Sequence, residues 1–380
     1  MSLPNIQRDF KLSNSALGVV LAVSVGAAGF AGAVVGRLAR RFGSLHLLGA
    51  IVLIWALTAV PPSFTHSVIL FTVAYSFAQI SAGCVDAAMN APATVFYKDR
   101  AGSLVSFHSI FNIGALVGAL FSALAIANGI SWRWLWPTVA VLAALTALTA
   151  RLGAPGDILD ADQVPHAIVL TPVGESPSAP REKTRSLRHD GLLVFLIVFA
   201  LAEVTEGGAF TWGVLYLRHF LRAGIYVGAI AYIIGHVVAA LSRGVGGTKM
   251  RSIPVGRAFV FGSLLCAAGL CIEVATHISI IAAVGLALAT AGTSLFWPLV
   301  MSSIASRSSS PGRAVGSFTA AGYVGWVAGA PLIGYMSDAL GPKAGLLSMA
   351  VICVIVIVAV LAGALPTNQD HAQSAGKVSS

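Results

Sequence analysis

Eleven runs of roughly twenty apolar residues divide this 380-residue chain almost from end to end. They lie at 15–36, 44–63, 68–92, 104–128, 132–152, 191–217, 225–242, 256–276, 281–305, 314–337 and 345–365. A run of that length crosses a bilayer as one α-helix, which satisfies its own backbone hydrogen bonds where no water can. The expected fold class is therefore an all-α integral membrane protein. Composition agrees, with 57% hydrophobic and 10% charged residues and a mean hydropathy of +0.87. That is too little charge to cover a soluble domain. The short alternating segments of a transmembrane β-barrel do not occur.

The net charge of +9 could suggest nucleic acid, but its placement argues against that partner. Alternate loops (37–43, 98–102, 151–190, 243–257, 306–313) hold sixteen Lys and Arg, against four in the other set (61–67, 128–134, 218–224, 273–280, 338–344). Without the long 151–190 loop the asymmetry is still eleven to four. The positive-inside rule then puts the basic loops and the C-terminus in the cytoplasm and the N-terminus outside. Cys84, Cys266, Cys271 and Cys353 all lie within spans and form no CxxC pair, so they read as small buried hydrophobes. Residues 1–14 read as a polar loop, with Ser13 or Asn14 free to cap the first span. Trp132, Trp134 and Trp136 sit where an outer aromatic belt is expected.

Polar groups inside apolar spans mark function, because lipid tolerates them only when they face a cavity or a partner. The stretch Ser81 to Ala119 is richest in them. Asp86 and Asn90 lie one helical turn apart in its first half, and His108 and Asn112 repeat that spacing in its second. Asp86 is the candidate for proton coupling, since burial raises a carboxyl toward working pH and opening to water lowers it again. Asn90 and Asn112 suit recognition of hydroxyls or carbonyls, and bonding between helices fits them equally. His108 can bind solute, relay protons or simply pack. Glu203 and Glu206, one turn apart, form a second proton-coupling candidate, either in a dry site where one holds a proton or solvated in a vestibule. Trp212, Tyr216, Tyr232, Trp297, Tyr323 and Trp326 could line a cavity or stack on a ring, and His236 reads as packing.

The chain also repeats itself. Ser106-Phe107, Gly114 and Gly118-Ala119 recur 211 residues later as Ser317-Phe318, Gly325 and Gly329-Ala330. The same offset takes Gly36 to Gly247 and Arg40 to Arg251. Two parallel repeats around a central cavity are expected of a transporter. The expected organisation is a first bundle over 1–152, a Pro-rich cytoplasmic linker over 153–190, a second bundle of six helices over 191–366, and a polar tail over 367–380. Residues 191–211 would map before residue 1, so the first bundle is expected to lack its first helix, giving five spans against six.

Two halves joined by a long middle loop resemble the major facilitator superfamily. The turn Gly36, Arg40, Arg41 and Gly43 is similar to that superfamily's signature between its second and third helices. That resemblance implies a cytoplasmic gate at these four residues. Arg40 stands where the signature has an Asp that helps latch the two halves together. GCVDAAMNAP, followed by SFHSIFNIGALVGALF, is similar to the fucose-permease-like sugar:proton symporters and their uncharacterised inner-membrane relatives. That likeness implies a role in solute handling for Asp86 and Asn90. Those permeases also use an acid on their first helix, which this chain lacks.

No nucleophile constellation, metal-ligand spacing or phosphate loop is present, so neither an enzyme nor a cofactor is expected. The expected function is alternating-access transport of a small polar, sugar-like solute across the inner membrane by a monomer, driven by protons. An efflux carrier for amphipathic compounds and a non-transporting membrane protein are the alternatives.

Overall fold

A computed structural model describes residues 2–28, 35, 44–96, 101–153, 192–249, 254–294, 296–297, 299–300 and 311–363. Their helices are α1 (Leu3–Asp9), α2 (Asn14–Ala28), α3 (Ser44–Ala59), α4 (Val68–Phe96), α5 (Ala101–Ala127), α6 (Leu135–Gly153), α7 (Leu192–Gly208), α8 (Ile225–Lys249), α9 (Val255–Ala275), α10 (Ser279–Thr293), α11 (Pro311–Leu340) and α12 (Pro342–Leu361). Among the described residues there is no strand. Five stretches there are long and apolar enough to cross a bilayer (47–64, 68–89, 193–220, 255–275 and 342–361), and the bent pair α1 and α2 would make a sixth. Most of the 153–190 linker and the tail beyond 366 lie outside the described residues.

The repeat seen in a few residue pairs governs the whole helix plan. α2, α3 and α4 begin at 14, 44 and 68, and α8, α9 and α10 begin 211 residues later at 225, 255 and 279. Helix starts are set by where polar breaks interrupt apolar runs, so equal spacing of breaks gives equal spacing of helices. The result is two pseudo-symmetric bundles. In the first, α4 packs on α2 and α3, and α3 on α6. In the second, α9 packs on α10 and α12, and α11 on α7 and α12. The bundles meet along two seams, α2 against α11 and α5 against α8.

Lipid offers little hydrophobic drive for one helix to meet another, so close approach of small residues carries the packing. Between α9 and α10, Gly262 faces the Gly292 carbonyl, and a methyl on Gly285 would stand 2.6 Å from the Gly269 carbonyl oxygen. On the α2–α11 seam a methyl on Gly18 would stand 2.7 Å from Pro331 Cα.

Two expectations need correction. Residues 3–9 are not a loop but the helix α1, bent by 117° from α2. Leu3, Ile6 and Phe10 recur at helical spacing, and Ile6 and Phe10 pack on Phe71 and Trp132, so an apolar stripe makes the segment fold. Ser13 then caps α2 by accepting the Ala16 N–H at 3.1 Å. Trp132 is not a lipid-facing anchor. It is 2% exposed, and its indole N–H donates to Asp9 at 2.7 Å, so the partner on α1 draws it inward. Trp134, at 65% exposed, keeps the outward position.

The end of the molecule that holds α1 also carries a contact between the halves. Asp338, past the apolar run of α11, accepts the backbone N–H groups of Asn14 (3.0 Å) and Ser15 (2.7 Å) and the Asn14 side-chain amide (2.9 Å). The first N–H groups of a helix have no internal partner, so an acid on the other half completes the start of α2. Partial desolvation pushes the Asp338 carboxyl up. Hydrogen bonds from Ser15, Asn14 and Ser13 together outweigh that and hold it below the usual carboxylate range.

Candidate functional site

α4 presents Asp86 at an exposed position, so the enclosed surroundings expected for it are not what this conformation shows. Its carboxylate lies within electrostatic reach of the Tyr323 hydroxyl on α11, which belongs to the other half. Tyr323 meets Trp297 edge-on at 6.1 Å, and Trp297 in turn lies 5.7 Å from Phe199 of α7. The Trp297 ring covers Gly322, where any side chain would displace it. The acid belongs to one half, and Tyr323 with its aromatic neighbours to the other.

The repeat relates these residues to one another. The offset of 211 takes Asp86 to Trp297 and Asn112 to Tyr323. By sequence, the first half thus carries polar residues at positions where the second carries rings. The backbones of Asn90, His108 and Asn112 are helical in α4 and α5, but their side chains lie outside the described part of the structure. Gly36, Arg40, Arg41 and Gly43 lie outside the described residues altogether.

The other candidates are placed differently. Glu203 is 0% and Glu206 7% exposed on α7, which argues for a dry setting over a solvated vestibule. Glu203 packs on α11, with its Cβ 3.0 Å from where a Gly325 methyl would stand. Trp212, at 4% exposed, sits in a core with Leu17, Leu21 and Ile333, and Tyr232 packs against that same core. Tyr232 also forms a cluster with Phe210 and His236 at 5.7 and 4.4 Å. His236 is itself stacked on Phe210 at 4.7 Å, which fits a packing role. Trp297 belongs to a different core, with Phe199, Phe259 and Phe318, so the aromatic candidates fall into two groups.

Two features escaped the sequence reading. After Gly208 the α7 span continues through two π-helical turns, Ala209–Gly213 and Tyr216–Phe220. Such wide turns have no simple residue signature. The second feature is Glu273, fully buried near the end of α9, with Oε1 3.2 Å from where a Gly213 methyl would stand. Neither of its carboxyl oxygens has a hydrogen-bond partner among the described residues. The rule that singled out Asp86, an acid inside an apolar run, applies to Glu273 as well. No cluster of three metal-ligating side chains exists among the described residues.

The sequence profile described as Major Facilitator Superfamily matches residues 1–330. The chain belongs to the major facilitator superfamily. It is 26% identical over 262 residues to an uncharacterised MFS-type transporter of Yersinia pestis, a match covering 67% of this chain and 62% of that protein. It is 24% identical over 367 residues to the membrane protein MosC of Rhizobium meliloti, covering 93% and 83% of the two chains. Among solved structures, a mutant of the nucleoside transporter NupG superposes with a TM-score of 0.74 at 13% identity, covering 95% of this chain and 93% of that one. At that identity the likeness speaks for the fold. This superfamily member is a multi-pass membrane protein built of two helical halves, with Asp86 on one and Tyr323 on the other.

Proposed function

We propose that this protein is a secondary transporter that moves a small polar, ring-bearing solute by alternating access, coupled to protons. The observation that carries the reading is an acid, Asp86, exposed on α4 of one half and within electrostatic influence of Tyr323, which stands edge-on to Trp297 in the other half. A solute held there would touch both bundles at once, as rocking of one half against the other requires. A titrating acid beside a hydroxyl and aromatic faces suits a sugar or a nucleoside, which offers hydroxyls and a ring. The likeness of GCVDAAMNAP to fucose-permease-like symporters supports that solute class.

In this reading Asp86 carries the coupled proton, with Glu203 or Glu206 as a second titrating group. Asn90, His108, Asn112, Trp212, Tyr232, Trp297 and Tyr323 serve the solute. The turn Gly36, Arg40, Arg41 and Gly43 gates the cytoplasmic side. The sixteen-to-four basic asymmetry supports cytoplasmic basic loops, and the bacterial relatives support an inner-membrane location.

Counterflow of a labelled nucleoside and a labelled hexose into proteoliposomes tests the proposal. Saturable exchange of one of them without a gradient, and its accumulation when the lumen is alkaline, is the expected result. Accumulation of amphipathic dyes in place of either solute would favour an efflux carrier. No flux of any of them would sink transport of these classes.

A further inference from the structure

We infer that the α1 end of the molecule holds a binding site for a phosphate-class oxyanion, clasped between Arg8 of the first half and Arg218 of the second. This goes beyond the transport reading and does not depend on it. A cavity of about 450 Å³ lies there, lined by Asn5, Arg8 and Asp9 of α1, Ser131 and Trp132 of the turn before α6, and Arg218 of the last π-helical turn of the α7 span. The repeat explains why these segments meet. α1, at 3–9, is the counterpart of residues 214–220, so equivalent pieces of the two halves approach each other at the shared axis.

The charges in this cavity do not cancel. Arg8 and Arg218 are like charges within reach of each other. Asp9 is the one acid in the lining, and its Oδ2 is engaged by the Trp132 indole N–H. Arg218 Nη1 is buried and has no hydrogen-bond partner among the described residues. The Arg218 stem is held in place, with Cδ 3.4 Å and Cγ 3.5 Å from where a Gly228 methyl would stand on α8. Arg8 is exposed, so the cavity is open to water on that side. A fixed guanidinium with an unused N–H, facing a second guanidinium in a concave lining, is the arrangement that takes a multidentate oxyanion. The Asn5 amide, whose Oδ1 is also buried without a partner, can turn its NH2 group toward the same ligand. Free phosphate and the headgroup of an anionic lipid share this chemistry.

The test is thermal unfolding of the full chain in nanodiscs of neutral lipid, titrated with inorganic phosphate at ionic strength held constant with chloride. A second arm replaces the neutral lipid with phosphatidylglycerol and omits phosphate. Saturable stabilisation in either arm is expected, and the responding arm names the source. Arg8→Gln and Arg218→Gln should each weaken the response by about tenfold, as loss of one charge-assisted hydrogen bond implies. Arg257→Gln, on an exposed arginine outside this lining, should leave the response intact. Should Arg218→Gln fail to fold, Arg8→Gln decides alone, because Arg8 is exposed on a short helix. An unresponsive wild type in both arms, or an undiminished response in Arg8→Gln, overturns the site.

Discussion

Lys11 and Arg222 share a left-handed backbone with φ of 51° and lie 211 residues apart. They are the non-glycine residues with positive φ among those described. Each ends a helical segment just before the next long helix begins, at 14 and at 225. The two halves thus make the same turn in the same way, down to one strained residue.

That strain gives a first prediction. A side chain in the left-handed region costs about 1 kcal/mol, which glycine avoids at the expense of a more flexible unfolded chain. Lys11→Gly and Arg222→Gly should each leave thermal stability unchanged or raise it by up to roughly 1 kcal/mol. A clear drop in unfolding temperature for either would mean that its side chain makes a contact worth more than the strain.

Asp338 ties α11 to the start of α2, and Asp338→Asn removes the charge and one accepting oxygen. Charge-assisted bonds are about twice as strong as neutral ones, so the halves should part more readily at this end. Spin labels at His66 and Ala339 should report a longer, broader distance in the variant. The pH dependence follows from the lowered carboxyl. Its contribution is complete above the unfolded value of about 4 and is lost only as pH falls through the lower folded value. The wild-type distance should therefore be constant across about pH 5 to 8. Movement within that range would assign the contact to another group.

Repeat-related glycines should respond oppositely to alanine. A methyl on Gly325 would meet the Ala200 carbonyl and the Glu203 Cβ, whereas one on Gly114 has nothing within 4 Å among the described residues. Gly325→Ala should destabilise by about 1 to 3 kcal/mol through overpacking. Gly114→Ala should gain up to about 1 kcal/mol in helix propensity. Equal losses at both sites, measured by thermal unfolding, would show that the Gly114 face is packed in the native protein.

Asp86→Asn keeps the shape of the side chain and removes its titration. Proton-driven accumulation should be abolished while exchange counterflow persists. Tyr323→Phe should raise the apparent KM by about three- to tenfold, the loss of one hydrogen bond. An Asp86→Asn protein that still accumulates solute with an unchanged pH profile would pass the coupling role to Glu203 or Glu206.

The membrane class, the two-half plan and the position of most helices were legible in the sequence. Apolar run length and polar breaks are local properties that a bilayer converts directly into helices. The 211-residue offset in Ser106-Phe107 and Gly114 was enough to foretell the equal spacing of α2–α4 and α8–α10. What α1 does was decided by tertiary structure alone, because its stripe of Ile6 and Phe10 has meaning only once Phe71 and Trp132 are brought beside it. The same holds for Asp86, which sequence marked as costly in lipid but could not bring into the electrostatic neighbourhood of Tyr323, some 237 positions away. Arg218 read as an ordinary loop charge until the repeat axis set it opposite Arg8. Helices are written in neighbouring residues, whereas a site between two halves exists only where distant segments converge.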